Sequence, residues 1–324
     1  MKSLIYQGPR KLAVKENPFP DQPVVVEMLA SGVCGTDLKT FLHGHPMFTP
    51  PTILGHEGYG KVVKTTAKIP GIEIGSTVVI APYMECGKCS RCVSGIPELC
   101  TEKTHAQSGY FTEYISMSEK HAGMALFNID NDNNVYTLVE PLACVFNGIE
   151  KLGKIENTLI VGGGIMGALF AGAFKKNGTK TKIIEVSEWK TTYLKRMGYE
   201  VLTPDELGSE ERFSAVILAT NILDLADIYF NRIIDGGRLL LFAGYGRGTK
   251  LEIDPFHIHY REVSVVGSFG YASNHFRDAL YIISKSPESY SNLISHEFAL
   301  EDAGRAFSIM EEGKVMKVVL RIKK

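Results

Sequence analysis

Four cysteines fall at Cys86, Cys89, Cys92 and Cys100, a C-x2-C-x2-C-x7-C run in a short segment containing Gly and Lys. Four thiolates satisfy zinc tetrahedrally and leave no open position. This spacing therefore points to a structural zinc site that clips a segment with few apolar residues of its own. Iron–sulfur runs of the ferredoxin kind have a shorter last gap and a following proline; here Cys100 is followed by Thr101. A second stretch, Gly162-Gly163-Gly164-Ile165-Met166-Gly167, fits G-x-G-x-x-G. Gly162 allows a tight turn, Gly164 lets the backbone approach a pyrophosphate, and Gly167 lets a helix pack closely on a strand. The anion then rests on free N–H groups at the helix N-terminus, where Ile165 and Met166 stand. Glu185 ends the next apolar run. A carboxylate there accepts hydrogen bonds from both ribose hydroxyls and repels a 2′-phosphate, so NAD is expected over NADP. Lys190, a little further on, joins the candidate cofactor contacts.

Three more stretches carry metal-ligating or acidic side chains. Cys34 lies in Gly32-Val33-Cys34-Gly35-Thr36-Asp37, His56 and Glu57 in Gly55-His56-Glu57, and Glu140 in Val139-Glu140-Pro141-Leu142. Together they offer the donor set of an open, catalytic zinc site. Singly, Cys34 also reads as a small buried hydrophobe, His56 as a hydrogen-bonded core histidine, and Glu140 as an acid at a helix N-terminus. Spacing does not choose between these readings.

The elements that must hold these residues change character along the chain. Up to about residue 125 the sequence reads as short strands and turns. Val24, Val26 and Met28 alternate with Val25, Glu27 and Leu29, and further extended runs are expected at Gly60–Lys64, Thr77–Ala81 and Phe111–Ile115. Pro50-Pro51, Pro70-Gly71 and Gly75 punctuate them. A β-rich domain, a distorted barrel, fits that pattern. After Glu140, apolar runs recur at Thr158–Val161, Lys182–Val186, Ala215–Ala219, Arg238–Ala243 and Val263–Gly267, most of them about 24 residues apart. Helices are expected between them, at Glu188–Met197 and at Ile222–Ile234 closed by Asp235-Gly236-Gly237, with a short apolar piece at Glu200–Leu202. Continuous apolar strands alternating with helices indicate a parallel sheet covered on both faces. Asn128 to Asn134 reads as a surface loop.

The 324 residues suffice for about two domains. Lys and Arg number 35 against 36 Asp and Glu, a balance that leaves no footprint for nucleic acid or an anionic membrane. Six cysteines are too few for a disulfide scaffold. Met1 to Leu12 lacks the apolar core of a signal peptide. The most apolar stretch, Leu159 to Phe174, has 16 residues and five glycines, short of the roughly 20 apolar residues that cross a bilayer. A cytoplasmic location, where thiols stay reduced and free to bind metal, is expected.

The fragments GVCGTD, ILGHEGYG, the four-cysteine lobe, VEPLAC and VGGGIMG occur in the order seen in the zinc-dependent medium-chain dehydrogenase/reductase superfamily. The chain resembles most its polyol (sorbitol-type) and threonine dehydrogenase branch. The resemblance implies an α/β fold: a GroES-like β-rich catalytic domain over residues 1–145, a Rossmann doubly wound parallel-sheet domain over 146–269, and a return to the catalytic domain over 270–324. It implies a site in the cleft between them, where Cys34 and His56 ligate catalytic zinc and Glu57 or Glu140 completes the shell. Two zinc ions per chain, NAD, and a homodimer or homotetramer paired through the cofactor domain follow as expectations. The reaction implied is hydride transfer between a secondary alcohol or polyol, or the matching ketone, and NAD. Zinc with an open position lowers the pKa of the alcohol, and Thr36 stands where its hydroxyl would accept the proton. The alternative is a threonine-type amino-alcohol dehydrogenase. A non-catalytic NAD-binding relative would show a damaged metal site, and Cys34, His56, Glu57 and Glu140 are all in place.

Two departures from the relatives stand out. Many have a histidine five positions after the metal cysteine as a proton relay, whereas this chain has Lys39, with His43 and His45 as nearby substitutes. Sorbitol-type relatives place an arginine before a tyrosine where this chain has Phe269-Gly270-Tyr271. Tyr110 and Phe111 read equally as pocket or core, and Tyr271 as a substrate contact. Cys144 reads as a packed thiol and Trp189 as a cover beside the adenosine region. His257 and His259, on one face of an expected extended segment, read as packing or surface residues.

Overall fold

The computed structural model describes residues 1–323. The chain divides into two compact units, Met1–Ala143 with Ala272–Lys324, and Cys144–Tyr271. Cys144 and Val145 thus fall in the second unit, as do Gly270 and Tyr271.

In the first unit the strand Val24–Val33 is central to a seven-stranded sheet. Its apolar run VVVEMLASGV is buried along nearly its whole length, as a strand covered on both faces must be. It pairs antiparallel with Glu57–Thr65 on one side and with Lys317–Arg321 on the other. Register matters here. Gly32 lies opposite Glu57 and opposite Val319, and Val33 lies opposite Val318. Two strands distant in sequence therefore deliver Glu57 and Lys317 to the end of the strand that leads into Cys34. The expected run at Phe111–Ile115 begins later, as Tyr114–Met117. Phe111 instead docks its N–H on the Leu54 carbonyl at 3.0 Å, and its ring lies where a side chain on Gly55 would have to go. The stretch expected as a surface loop is only partly one. Asn128 closes a short strand, and buried Asn134 accepts a hydrogen bond from the Tyr59 hydroxyl.

The second unit is a six-stranded, wholly parallel sheet. Its strands in spatial order are Glu200–Leu202, Lys180–Ile184, Asn157–Val161, Phe213–Leu218, Ile233–Leu241 and Ser264–Gly267. Numbered along the chain, that order is 3-2-1-4-5-6, the doubly wound dinucleotide-binding topology with its switch point beside Asn157–Val161. The helix expected over Ile222–Ile234 is confined to Leu225–Phe230. Ile233 already pairs with Phe213, and the strand bulges through Asp235-Gly236-Gly237, where Gly236 takes φ +72°. The bulge ejects the charged turn and lets one strand resume pairing at Arg238. The segment expected to be extended at His257 and His259 is a helix, Pro255–Tyr260, capped by Asp254. Two residues apart on a helix do not share a face; His257 bonds Arg261 at 3.1 Å, and the His259 ring lies against Tyr260.

Candidate active site and metal centres

Cys34 caps the helix Gly35–His43 at the end of the central strand. The fully buried Asp37 organises the corner. Its two oxygens accept the Cys34 N–H at 2.9 Å and the Gly55 N–H at 3.1 Å, which ties the cysteine turn to the loop before His56. His56 Nδ1 lies 3.9 Å from the same carboxylate. Donor atoms of Cys34, His56 and Glu57 all lie within 4.8 Å of one another. Zinc ligands at about 2.0–2.3 Å from a common ion sit a few ångströms apart, and a thiol, an imidazole and a carboxylate are the donors zinc takes. The three residues fit the ion.

Burial lowers the His56 pKa, but the negative charge of Cys34 and Asp37 outweighs it and holds the value well above the usual histidine range. Burial pushes the Asp37 carboxyl up. Cys34, Asp37 and Glu140 thus gather acidic groups around His56, with Lys317 as the buried cation beside them. Glu140 sits buried in the first turn of the helix Val139–Leu152, outside the group of three, and its charge is felt at His56, Lys317 and Tyr110. The buried Tyr110 hydroxyl has no hydrogen-bond partner among the described residues.

Thr36 is half-buried in the first turn after Cys34. Lys39 and His43 point from the same helix into solvent, and His45 packs on Phe48. Two residues that sequence reasoning passed over complete the centre: Asp37 and Lys317. Lys317 is 2% exposed and pairs with Glu57, itself 1% exposed. Asp37 stood inside the cysteine motif. The signal for Lys317 was faint, a lysine heading an apolar strand far away in sequence.

The four-cysteine lobe hangs on a two-stranded ribbon, Tyr83–Met84 with Thr104–His105. Its sulfurs stand 3.6 Å (Cys89–Cys92), 3.7 Å (Cys89–Cys100) and 4.0 Å (Cys86–Cys92) apart. A tetrahedron with Zn–S bonds of about 2.3 Å has sulfurs about 3.8 Å apart, so the cage fits zinc. Backbone N–H groups of Cys86 and Glu102 donate to the Cys100 sulfur, and those of Lys88 and Cys89 to the Cys86 sulfur, at 3.3–3.5 Å. The Cys89 thiol is held down to about 5 by the backbone N–H groups of Cys92 and Thr101.

In the second unit the strand Asn157–Val161 runs through the glycine turn into the helix Ile165–Lys176. Gly162 takes φ +108° against the Ala219 carbonyl. A side chain on Gly167 would overlap the Gly162 carbonyl, while one on Gly164 would meet open space. That open side, with the partly exposed Ile165 and Met166 beside it, leaves room for an anion at the helix N-terminus. Glu185 is also engaged by its own backbone. Its Oε2 accepts the Gly163 N–H at 2.9 Å, and its Oε1 accepts those of Val186 and Ser187 at 2.8 Å. A carboxylate has about four lone-pair sites, so one acceptor place is left for ribose, not two. Lys190 lies half-buried in the helix Glu188–Arg196, its N–H on the Ser187 hydroxyl, and Trp189 stacks on Tyr193 at 5.0 Å. Tyr271 is buried, 1% exposed, and Gly270 takes φ +64°. Cys144 is half-buried.

Residues 20–126 match the alcohol dehydrogenase GroES-like domain. The chain is 30% identical over 309 residues to D-altritol 5-dehydrogenase of Agrobacterium fabrum, covering 90% of each. It is 26% identical to sorbitol dehydrogenase of Halalkalibacterium halodurans, covering 99% of each. Among solved structures, L-idonate 5-dehydrogenase of Escherichia coli superposes with a TM-score of 0.87 at 24% identity, covering 99% of this chain and 98% of that one. The chain belongs to the zinc-dependent medium-chain dehydrogenase/reductase superfamily, in its polyol dehydrogenase branch. It is an oxidoreductase that acts on CH–OH groups of small molecules with a nicotinamide cofactor. Among the described residues no helix is long and apolar enough to cross a membrane.

Proposed function

We propose that the protein is a cytoplasmic, NAD-dependent zinc enzyme, with two zinc ions per chain, that oxidises a secondary hydroxyl of an open-chain polyol or sugar acid. The observation that carries this reading is the convergence of Cys34, His56 and Glu57 donor atoms within 4.8 Å of one another. The polyhydroxy substrates named for the altritol and sorbitol relatives support the substrate class. Zinc held there would supply Lewis acidity that favours ionisation of an alcohol hydroxyl. Cys34, His56 and Glu57 hold the ion; Glu140 adds negative charge from the neighbouring helix. Thr36 Oγ1, half-buried in the first turn after Cys34, would accept the hydroxyl proton as it gives up its own towards solvent.

Glu185 supports NAD because its carboxylate would face a 2′-phosphate. Its three backbone bonds also fix the shape of the glycine turn that receives the pyrophosphate. The Cys86, Cys89, Cys92 and Cys100 cage takes the second zinc and leaves no ligand position for substrate.

The test is a panel of altritol, sorbitol, sugar acids, butanediol and threonine read by NADH absorbance, with Cys34→Ser as control. Turnover of a polyol or sugar acid that the control loses is the expected result. Turnover of threonine alone would move the reading to the amino-alcohol enzymes, and turnover that persists in Cys34→Ser would remove the metal from the reaction.

A further inference from the structure

The ion pair between Lys317 and Glu57 is buried on both sides, at 2% and 1% exposure, and lies beside Cys34. Register accounts for its position. Lys317 immediately precedes Val318, the partner of Val33, and Glu57 lies opposite Gly32. The pair is packed over Gly32, whose missing side chain makes the room. A Cβ there would overlap Glu57 Oε2 and come within 2.7 Å of Lys317 Cε.

A carboxylate beside a metal has two modes open to it, one oxygen or both. In Glu57, Oε2 carries the ammonium of Lys317. Bidentate binding would set the ion and that ammonium on the same oxygen, and two cations brought that close inside a buried site repel each other. A catalytic zinc needs three protein ligands and one free place. With Cys34 and His56 in the shell, a two-oxygen Glu57 would occupy the free place.

We propose that Lys317 is a positioning residue: by holding Glu57 Oε2 it restricts Glu57 to one oxygen at the metal and so keeps one coordination place open for the alcohol. The inference rests on the metal reading given above. It assigns Lys317 no contact with substrate, cofactor or the reacting atoms.

The experiment uses the full chain loaded with Co(II), following the part of the d–d absorption that Cys34→Ser removes, and titrates it with imidazole as a neutral probe of the open place. The wild-type spectrum should shift with imidazole. Lys317→Met, of similar length and uncharged, should need at least tenfold more imidazole for the same shift, and its kcat should fall while its cobalt content is kept. Lys317→Arg, which retains the charge, should respond within about threefold of wild type, and Lys317→Met combined with Glu57→Gln should regain the response. If Lys317→Met does not fold, Lys317→Gln takes its place with the same expectation. An uncharged Lys317 variant that responds at the wild-type imidazole concentration would overturn the proposal. So would a double variant that fails to regain the response. Failure of the underlying reading looks different, because Cys34→Ser would then leave the wild-type cobalt spectrum unchanged.

Discussion

Asp37 and Lys317 act on the same centre from opposite directions, one by tying backbone turns together and the other by engaging a carboxylate. Both depend on small neighbours. Gly32→Ala should therefore cost about 1–3 kcal/mol through overpacking against the Glu57–Lys317 pair. Thermal melting should show the loss, and metal analysis should show weaker retention at the Cys34 site. An unchanged melting temperature would mean the pair yields without strain. His56→Ala removes a ligand while leaving the second unit untouched. Turnover should fall at least about 100-fold, while NADH binding persists, read by energy transfer from Trp189, the single tryptophan. Loss of NADH binding in that variant would show that the two sites are not separable. Glu185→Gln leaves at least one of three backbone N–H groups without its carboxylate acceptor. At about 1–3 kcal/mol for a lost charge-assisted bond, the Kd for NAD should rise about tenfold. A Kd within twofold of wild type would reduce Glu185 to a packing role.

At the scale of elements, sequence was most informative where one periodicity ran uninterrupted. The parallel strands at Asn157–Val161 and Phe213–Leu218 are buried along nearly their whole length, so they surface in the sequence as near-continuous apolar runs, whereas Lys180–Ile184 is buried only at Ile183 and Ile184. The glycine turn was legible for the same local reason. What escaped notice was either ambiguous locally or set by contacts far apart in sequence. The bulge at Gly236 looks like a helix stop because a glycine with positive φ serves both purposes. Pro255–Tyr260 alternates polar and apolar residues like a strand, and only the Asp254 cap and Pro255 betray the helix. Lys317 reached Glu57 through strand register, which no motif encodes. Cys34, His56 and Glu57 were legible as donors, but their meeting depends on Asp37 bridging two turns. The cysteine lobe is the element most dependent on a metal, since its ribbon is two residues long on each side. Cys100→Ser should lower zinc content from about two to about one per chain and lower the melting temperature by about 5 °C or more. Full zinc retention would remove the structural role.

For the molecule as a whole, acid stability has an identifiable contributor in His121. The side chain is buried on the short helix Glu119–Ala125, its Nδ1 within 2.9 Å of the Thr104 hydroxyl on the ribbon beside the cysteine lobe. Burial lowers its pKa to about 4. Between the ordinary histidine value near 6.5 and that figure, the unfolded chain binds a proton that the folded chain refuses. Stability from this group is therefore full above about pH 6.5 and falls as the pH drops towards 4, by up to about 3 kcal/mol. The net charge of −1 adds little self-repulsion near neutrality that would mask the effect. His121→Leu removes the titrating group and keeps an apolar side chain in its place. Its melting temperature, measured from pH 7.5 down to pH 4.5, should decline less steeply than that of the wild-type chain. Parallel declines in the two proteins would place the acid sensitivity elsewhere, with protonation of the cysteine cage as the next group to test by zinc release over the same range.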